Sequence, residues 1–214
     1  MSSESGAKPR TYEKRRRAEQ ERETRRRITE ATVALHGSVG PARTTISAVA
    51  EAAGVQRATV YRHFPDEAAL FAACSAHWAA DHPRPDPSGW AAIEDPDERL
   101  RAALGAFYAF YRSGERMLSN VMRDAEAIPA LRAIGERNAG AMAALVERLD
   151  SGRPSARAEL RQAAIALALD FRTWHLLSRR GLDDEQVVAL MARAVACADG
   201  AAVSPPGPAA APRA

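Results

Sequence analysis

Apolar residues recur along this chain at intervals of three and four. No stretch alternates apolar and polar residues between hairpin signals, so the pattern predicts an all-α protein. Ile28, Ala31 and Leu35 place a first helix over 25–36, and the chain turns through Gly37–Pro41. Ile46, Val49, Ala50 and Ala53 form the stripe of a short second helix. Gly54 ends it, because a glycine just past the last periodic residue adopts the left-handed conformation that a side chain resists. Val55 fills the corner, small Ala50 lets two helices approach, and Val60 is the buried contact of a third. Pro65 suits the first turn of a fourth helix, where a missing N–H is harmless, and that helix runs through Leu70, Cys74 and Trp78 to Ala80.

The segment 81–89 carries Pro83, Pro85, Pro87 and Gly89 and breaks the pattern. Beyond it, helices are predicted over 96–112, 115–125, 129–149, 155–179 and 183–199, punctuated by Gly114, Pro129, Gly152, Pro154 and Gly181. The expected organisation is a charged arm over 1–23 and a helix-turn-helix three-helix DNA-binding domain with its connecting helix over 24–80. A helical ligand-binding and dimerisation domain follows over 81–200, then a disordered Pro/Ala-rich tail over 201–214.

Two short helices joined at Gly54 leave an outer face that the core does not use. It carries Gln56, Arg57, Thr59, Tyr61 and His63, groups suited to base edges and phosphates in a major groove. A plain corner in a helical protein is the competing reading.

The chain here resembles the tetracycline-repressor (TetR) family of transcriptional regulators. The resemblance rests on Gly40, Thr44-Thr45-Ile46, Val49-Ala50, Ala53-Gly54-Val55, Thr59-Val60-Tyr61, His63-Phe64-Pro65 and Leu70-Phe71, across about residues 24–75. It implies a homodimeric repressor that leaves a pseudo-palindromic operator when a small molecule binds its C-terminal domain. On that reading Arg57 grips or reads bases, with Gln56 and Thr59 near base edges, while Thr44, Thr45, Tyr61 and His63 hold phosphates. Two positions depart from the family. Gln56 stands where Ser or Thr commonly caps the recognition helix, and Glu67 stands where Lys often meets a phosphate.

Charge follows the same division. Residues 1–64 hold 13 Lys/Arg against 7 Asp/Glu, and the remainder 17 against 20, so the helix-turn-helix half carries the positive charge. The arm interleaves Lys14, Arg15, Arg16, Arg17 and Arg22 with Glu13, Glu19, Glu21 and Glu23. Favourable i,i+4 pairs, Glu13 to Arg17, Glu21 to Arg25 and Glu23 to Arg27, let it extend the first helix. Alternatively Thr24 caps that helix and the arm is mobile, its arginines reaching DNA; a solvated charged face is the plainer reading.

In the C-terminal half, Leu160, Ala164, Leu167, Phe171 and Trp174 make one stripe, and Val187, Leu190, Met191, Ala194 and Ala198 another. The resemblance implies that the helices over 155–179 and 183–199 pack against a twofold mate; intrachain core is the alternative. The candidate chamber for an unknown effector draws on Phe107, Tyr108 and Tyr111 around Gly105, then Asn120 and Arg123, Asn138 and Met142, and Asp170 and Trp174. Aromatic stripes of this kind also serve as ordinary core.

Enzymatic chemistry finds no foothold. The chain has no Gly-rich phosphate loop and no Gly-x-Ser-x-Gly elbow, and its histidines lack ligand spacing, so neither catalytic residues nor a cofactor nor a metal is expected. Cys74 and Cys197 form no zinc-type pair, no apolar run reaches membrane length and no secretory signal is visible, which points to the cytoplasm. A helical enzyme with an incidental corner and a DNA-binding scaffold without effector are the alternatives.

Overall fold

The computed structural model describes residues 8–198, and every regular element among them is helical. The tail over 201–214 and the first seven residues of the arm lie outside the described residues. Ten α-helices follow in order: α1 Lys8–Ser38, α2 Ile46–Ala53, α3 Arg57–His63, α4 Glu67–Asp81, α5 Ser88–Ala91, α6 Pro96–Asp124, α7 Pro129–Asp150, α8 Ala158–Leu169, α9 Phe171–Ser178 and α10 Asp184–Ala198.

Packing groups them into two compact units, one of residues up to Pro83 together with Gly114–Glu136, the other of Arg84–Ser113 with the residues from Arg137 onward. The sequence pattern assigns residues 114–136 to the C-terminal domain; their contacts are with the N-terminal one. The first unit is built on Ile28, Val49, Val60, Phe64, Leu70 and Cys74, all buried, which joins α1 to α2, α3 and α4. The second buries Leu100, Leu104, Tyr108, Ile165, Trp174 and Val187.

Several boundaries differ from the sequence pattern for local reasons. The charged arm is helical, so α1 begins at Lys8; Thr24 lies in its interior, where its hydroxyl donates to the Gln20 carbonyl at 2.8 Å instead of capping. Gly114 does not interrupt α6. A Cβ there would stand 2.7 Å from a ring carbon of Trp78, so the glycine serves close packing inside the helix. The helix expected over 155–179 is two helices, because Asp170 accepts the backbone N–H of Arg172 at 2.6 Å and so starts α9. The carbonyls left at the end of α8 are taken up by α6: Tyr108 and Tyr111 donate their hydroxyls to Ala168 and Leu169, at 2.8 and 2.5 Å.

Candidate nucleic-acid interface

The turn between α2 and α3 is made by Gly54 at φ 63° and ψ 42°, the left-handed conformation its position in the sequence predicts. Thr45 caps α2 by accepting the Ala48 N–H at 3.1 Å. Val60 is the buried contact of α3, so Arg57, Tyr61 and Arg62 face outward, with Tyr61 49% exposed. Gln56 occupies the N-cap of α3 without a side-chain capping bond, which leaves its amide available at the exposed start of the helix. Pro65 precedes the fourth helix instead of opening it; Asp66 is its cap, accepting the Ala69 N–H at 2.7 Å, with Glu67 in the first turn.

Of the seven residues predicted to meet DNA, Gln56, Arg57, Thr59, Tyr61 and His63 lie on or at the start of one short helix, and Gln56, Arg57 and Tyr61 are exposed. Thr44 and Thr45 sit at the start of α2. Their hydroxyls already have work in the fold, Thr44 donating to the Gly40 carbonyl at 2.9 Å and Thr45 capping. His63 is half-buried, and its Nε2 is buried with no hydrogen-bond partner among the described residues. Partial burial first, then the adjacent Arg62 and Arg25 charges, hold its pKa below the ordinary histidine value.

Two arginines of α1 hold this reading head together, a role the charge pattern does not reveal. Arg25 donates to the His63 carbonyl at 2.5 Å and lies 4.0 Å over the Phe64 ring. Arg27 donates to the carbonyls of Ala53 and Gly54, closing the end of α2. The expected partners Glu21 and Glu23 therefore do not claim them; the described ion pairs of this stretch join Arg26 to Glu23 and Glu30, at 2.7 and 2.5 Å. No signal in the sequence marks the role, since both arginines equally fit i,i+4 pairs with Glu21 and Glu23.

The residues predicted for an effector fall in both units. Asn120 and Arg123 lie in the first unit, on the end of α6, and hold the turn before α2. Asn120 donates to the carbonyls of His36 and Gly37 at 2.9 and 3.0 Å, and Arg123 to that of Val39 at 3.1 Å. Asp124, which the sequence reading passes over, accepts the Ala42 N–H at 3.0 Å and pairs with Arg123 at 2.7 Å. The approach is so close that a Cβ on Gly40 would stand 2.6 Å from the Asp124 carboxylate, and Gly40 itself has φ 96°.

In the second unit, Tyr111 is the hub of an aromatic cluster, with Phe107, Phe171 and Trp174 at centroid distances of 5.9, 5.5 and 5.8 Å. Trp174 donates to Asp184 at 2.9 Å, and Asp184 is also held by Arg112 at 2.6 Å. Tyr108, Tyr111, Trp174 and Asp170 thus use their polar groups within the protein. Asn138 and Met142 are half-buried on α7, and Gly105 faces open space, so a side chain added there meets nothing within 4 Å.

Known proteins place this arrangement. Residues 28–74 match the model for bacterial regulatory proteins of the tetR family. Over 70 residues the chain is 43% identical to the HTH-type transcriptional regulator TtgR of Pseudomonas putida, and equally to the probable HTH-type transcriptional regulator ArpR of the same species. Those matches cover 32% of this chain and 33% of either relative, so the chain spans about a third of the length of the curated relatives it matches. The fold is shared further. A transcriptional regulator from Rhodococcus sp. Rha1 superposes with a TM-score of 0.62 at 20% identity, covering 85% of this chain and 99% of that one. NalD, the secondary repressor of the MexAB-OprM multidrug efflux pump in Pseudomonas aeruginosa, does so with a TM-score of 0.60 at 23% identity, covering 84% and 96%. No helix among the described residues is long and apolar enough to cross a membrane. A helix-turn-helix with a left-handed glycine at its turn and a family match lying over it agree: residues 28–74 form a domain of the kind found in bacterial regulatory proteins of the tetR family.

Proposed function

We propose that the protein is a cytoplasmic homodimeric repressor that binds a pseudo-palindromic operator through α3 and releases it when a small molecule occupies its second unit. The observation that carries the reading is the free polar face of α3: Gln56, Arg57 and Tyr61 are exposed beside a turn that α1 pins from behind through Arg25 and Arg27. A seven-residue helix so held enters a major groove with its N-terminal residues toward base edges. Arg57 grips or reads bases with Gln56 and Thr59 beside it, and Thr44, Thr45, Tyr61 and His63 line the phosphates. The helical arm adds Arg15, Arg16, Arg17 and Arg22, whose charges favour the phosphate backbone.

The dimer is supported by what the second unit leaves uncovered. Leu160 and Leu167 of α8 are 57% exposed and Leu190 of α10 is 42% exposed, with Ala194 one turn further along. Phe171, Trp174, Val187 and Met191, read with them as one seam, are buried within the chain, so the face offered to a second copy is narrower than the two stripes. Repression, as the sign of regulation, follows the likeness to NalD; the half-buried Asn138 and Met142 are the effector contacts still free among those proposed.

The test is enrichment of genomic fragments by the purified protein, followed by footprinting of the best. Two protected half-sites about one helical turn, or a multiple of it, apart support the reading. Enrichment no better than that of random DNA overturns it.

A further inference from the structure

The first unit contains a cavity of about 310 Å3 behind the helix-turn-helix, within the size range of small-ligand sites. Its apolar walls are Ile46 and Val49 of α2, Leu70 and Phe71 of α4, and Ile128 of the loop after α6. Its polar lining is Thr32 and His36 of α1, Thr44, Thr45 and Glu67. His36 of α1 is 6% exposed and stacks on Phe71 at 5.0 Å, yet its ring nitrogens make no hydrogen bond among the described residues. Thr44 and Thr45 stand at the mouth near Glu67.

We propose that this cavity is a second small-molecule site, built into the reading head itself, for a flat uncharged molecule of one or two rings bearing a single hydroxyl or N–H. The hydrogen-bonding group of the ligand meets the His36 ring, and its rings lie between Val49 and Phe71. Burial pushes the His36 pKa down to about 4, so the imidazole is neutral and offers an acceptor nitrogen. Glu67 at the rim disfavours an anion. The walls explain what occupancy does, since Thr45 is the cap of α2 and Ala42 is the residue that Asp124 grips. A molecule wedged there displaces the start of α2, and α3 moves with it because the two share one core across the turn at Gly54. By linkage, bound DNA weakens the ligand by the same factor that the ligand weakens DNA.

The experiment uses the full chain and 2-naphthol as the probe, with methyl and amide NMR shifts as the readout. The expected result is saturable shifts at Ile46, Val49, Leu70 and Ile128 and at the Thr44 and Thr45 amides. His36→Phe, which keeps the stack on Phe71 but removes the acceptor, is expected to lower 2-naphthol affinity about tenfold, the order of one neutral hydrogen bond. Ile128→Trp, at the half-buried rim, is expected to abolish the shifts by filling the space. Shifts that do not saturate, that centre on the second unit, or that survive both variants overturn the proposal. The readout needs no DNA, so a protein that binds 2-naphthol here but no operator sinks the proposed function and leaves this site standing; the regulatory consequence alone rests on that function.

Discussion

Asp124→Ala tests whether the end of α6 really holds the entrance to the helix-turn-helix. The Asp124 side chain is 7% exposed and accepts the Ala42 N–H at 3.0 Å, while its partner Arg123 is 45% exposed. A hydrogen bond to a charged group contributes about 1.5–3 kcal/mol. The exposed half of the Arg123 pair adds only about 0–1 kcal/mol. Arg123 keeps its bonds to Asn120 at 2.9 Å and to Val39 at 3.1 Å after the substitution, so most of the loss is the bond to Ala42. The expected destabilisation is about 2 kcal/mol, or about 4–8 °C in melting temperature for a chain of this size. Urea unfolding followed by circular dichroism measures it. Asp124→Asn keeps an acceptor for Ala42 and should recover about half of the loss, and Arg123→Ala should cost less than about 1 kcal/mol. An Asp124→Ala protein within about 0.5 kcal/mol of wild type, or an Asn variant as damaged as the Ala variant, would refute the reasoning.

Three further outcomes are expected. Arg57→Ala should weaken operator binding by about 1–3 kcal/mol and relax the preference at one base position with the fold intact, read by anisotropy on single-base variants of an enriched fragment. Ala194→Glu puts a charge beside exposed Leu190 on α10 and should convert a dimer to monomers in light scattering, whereas a mutant that stays dimeric removes this seam. His36, neutral in the folded chain with a pKa of about 4 against 6.5 ordinarily, should make stability fall as pH drops from about 6.5 to about 4. The unfolded chain takes up a proton there that the folded chain refuses. The loss is about 2 kcal/mol after discounting for screening. His36→Leu should make the profile shallower over that window, leaving the contribution of His63, whose pKa is also held low.

The helix-turn-helix was legible because its signals are local. Gly54 needs no tertiary context to demand a left-handed turn, and the spacing of Ile46, Val49, Ala50 and Ala53 defines one buried face. What escaped was set by partners distant in sequence. Gly114 reads as a breaker until Trp78 is placed against it, and only the Tyr108 and Tyr111 hydroxyls show why α8 can end at Leu169. Composition alone cannot show that Asn120 and Arg123 donate to a turn more than 80 residues away. The aromatic run from Phe107 to Tyr111 carries the same ambiguity, and its members prove largely satisfied by one another and by backbone carbonyls. Arg25 and Arg27 read as surface charge although they close α3 and α2.

The central claim is that two copies of α3, presented by one dimer, read two half-sites. The most direct measurement is an anisotropy titration of a footprinted genomic fragment beside the same fragment with one half-site scrambled, at fixed salt. The account predicts tight binding of two chains to the intact fragment and a loss of at least about 100-fold on the scrambled one, as one of two linked contacts is removed. Equal affinity for the two fragments, or binding that tracks salt alone without regard to sequence, would contradict it.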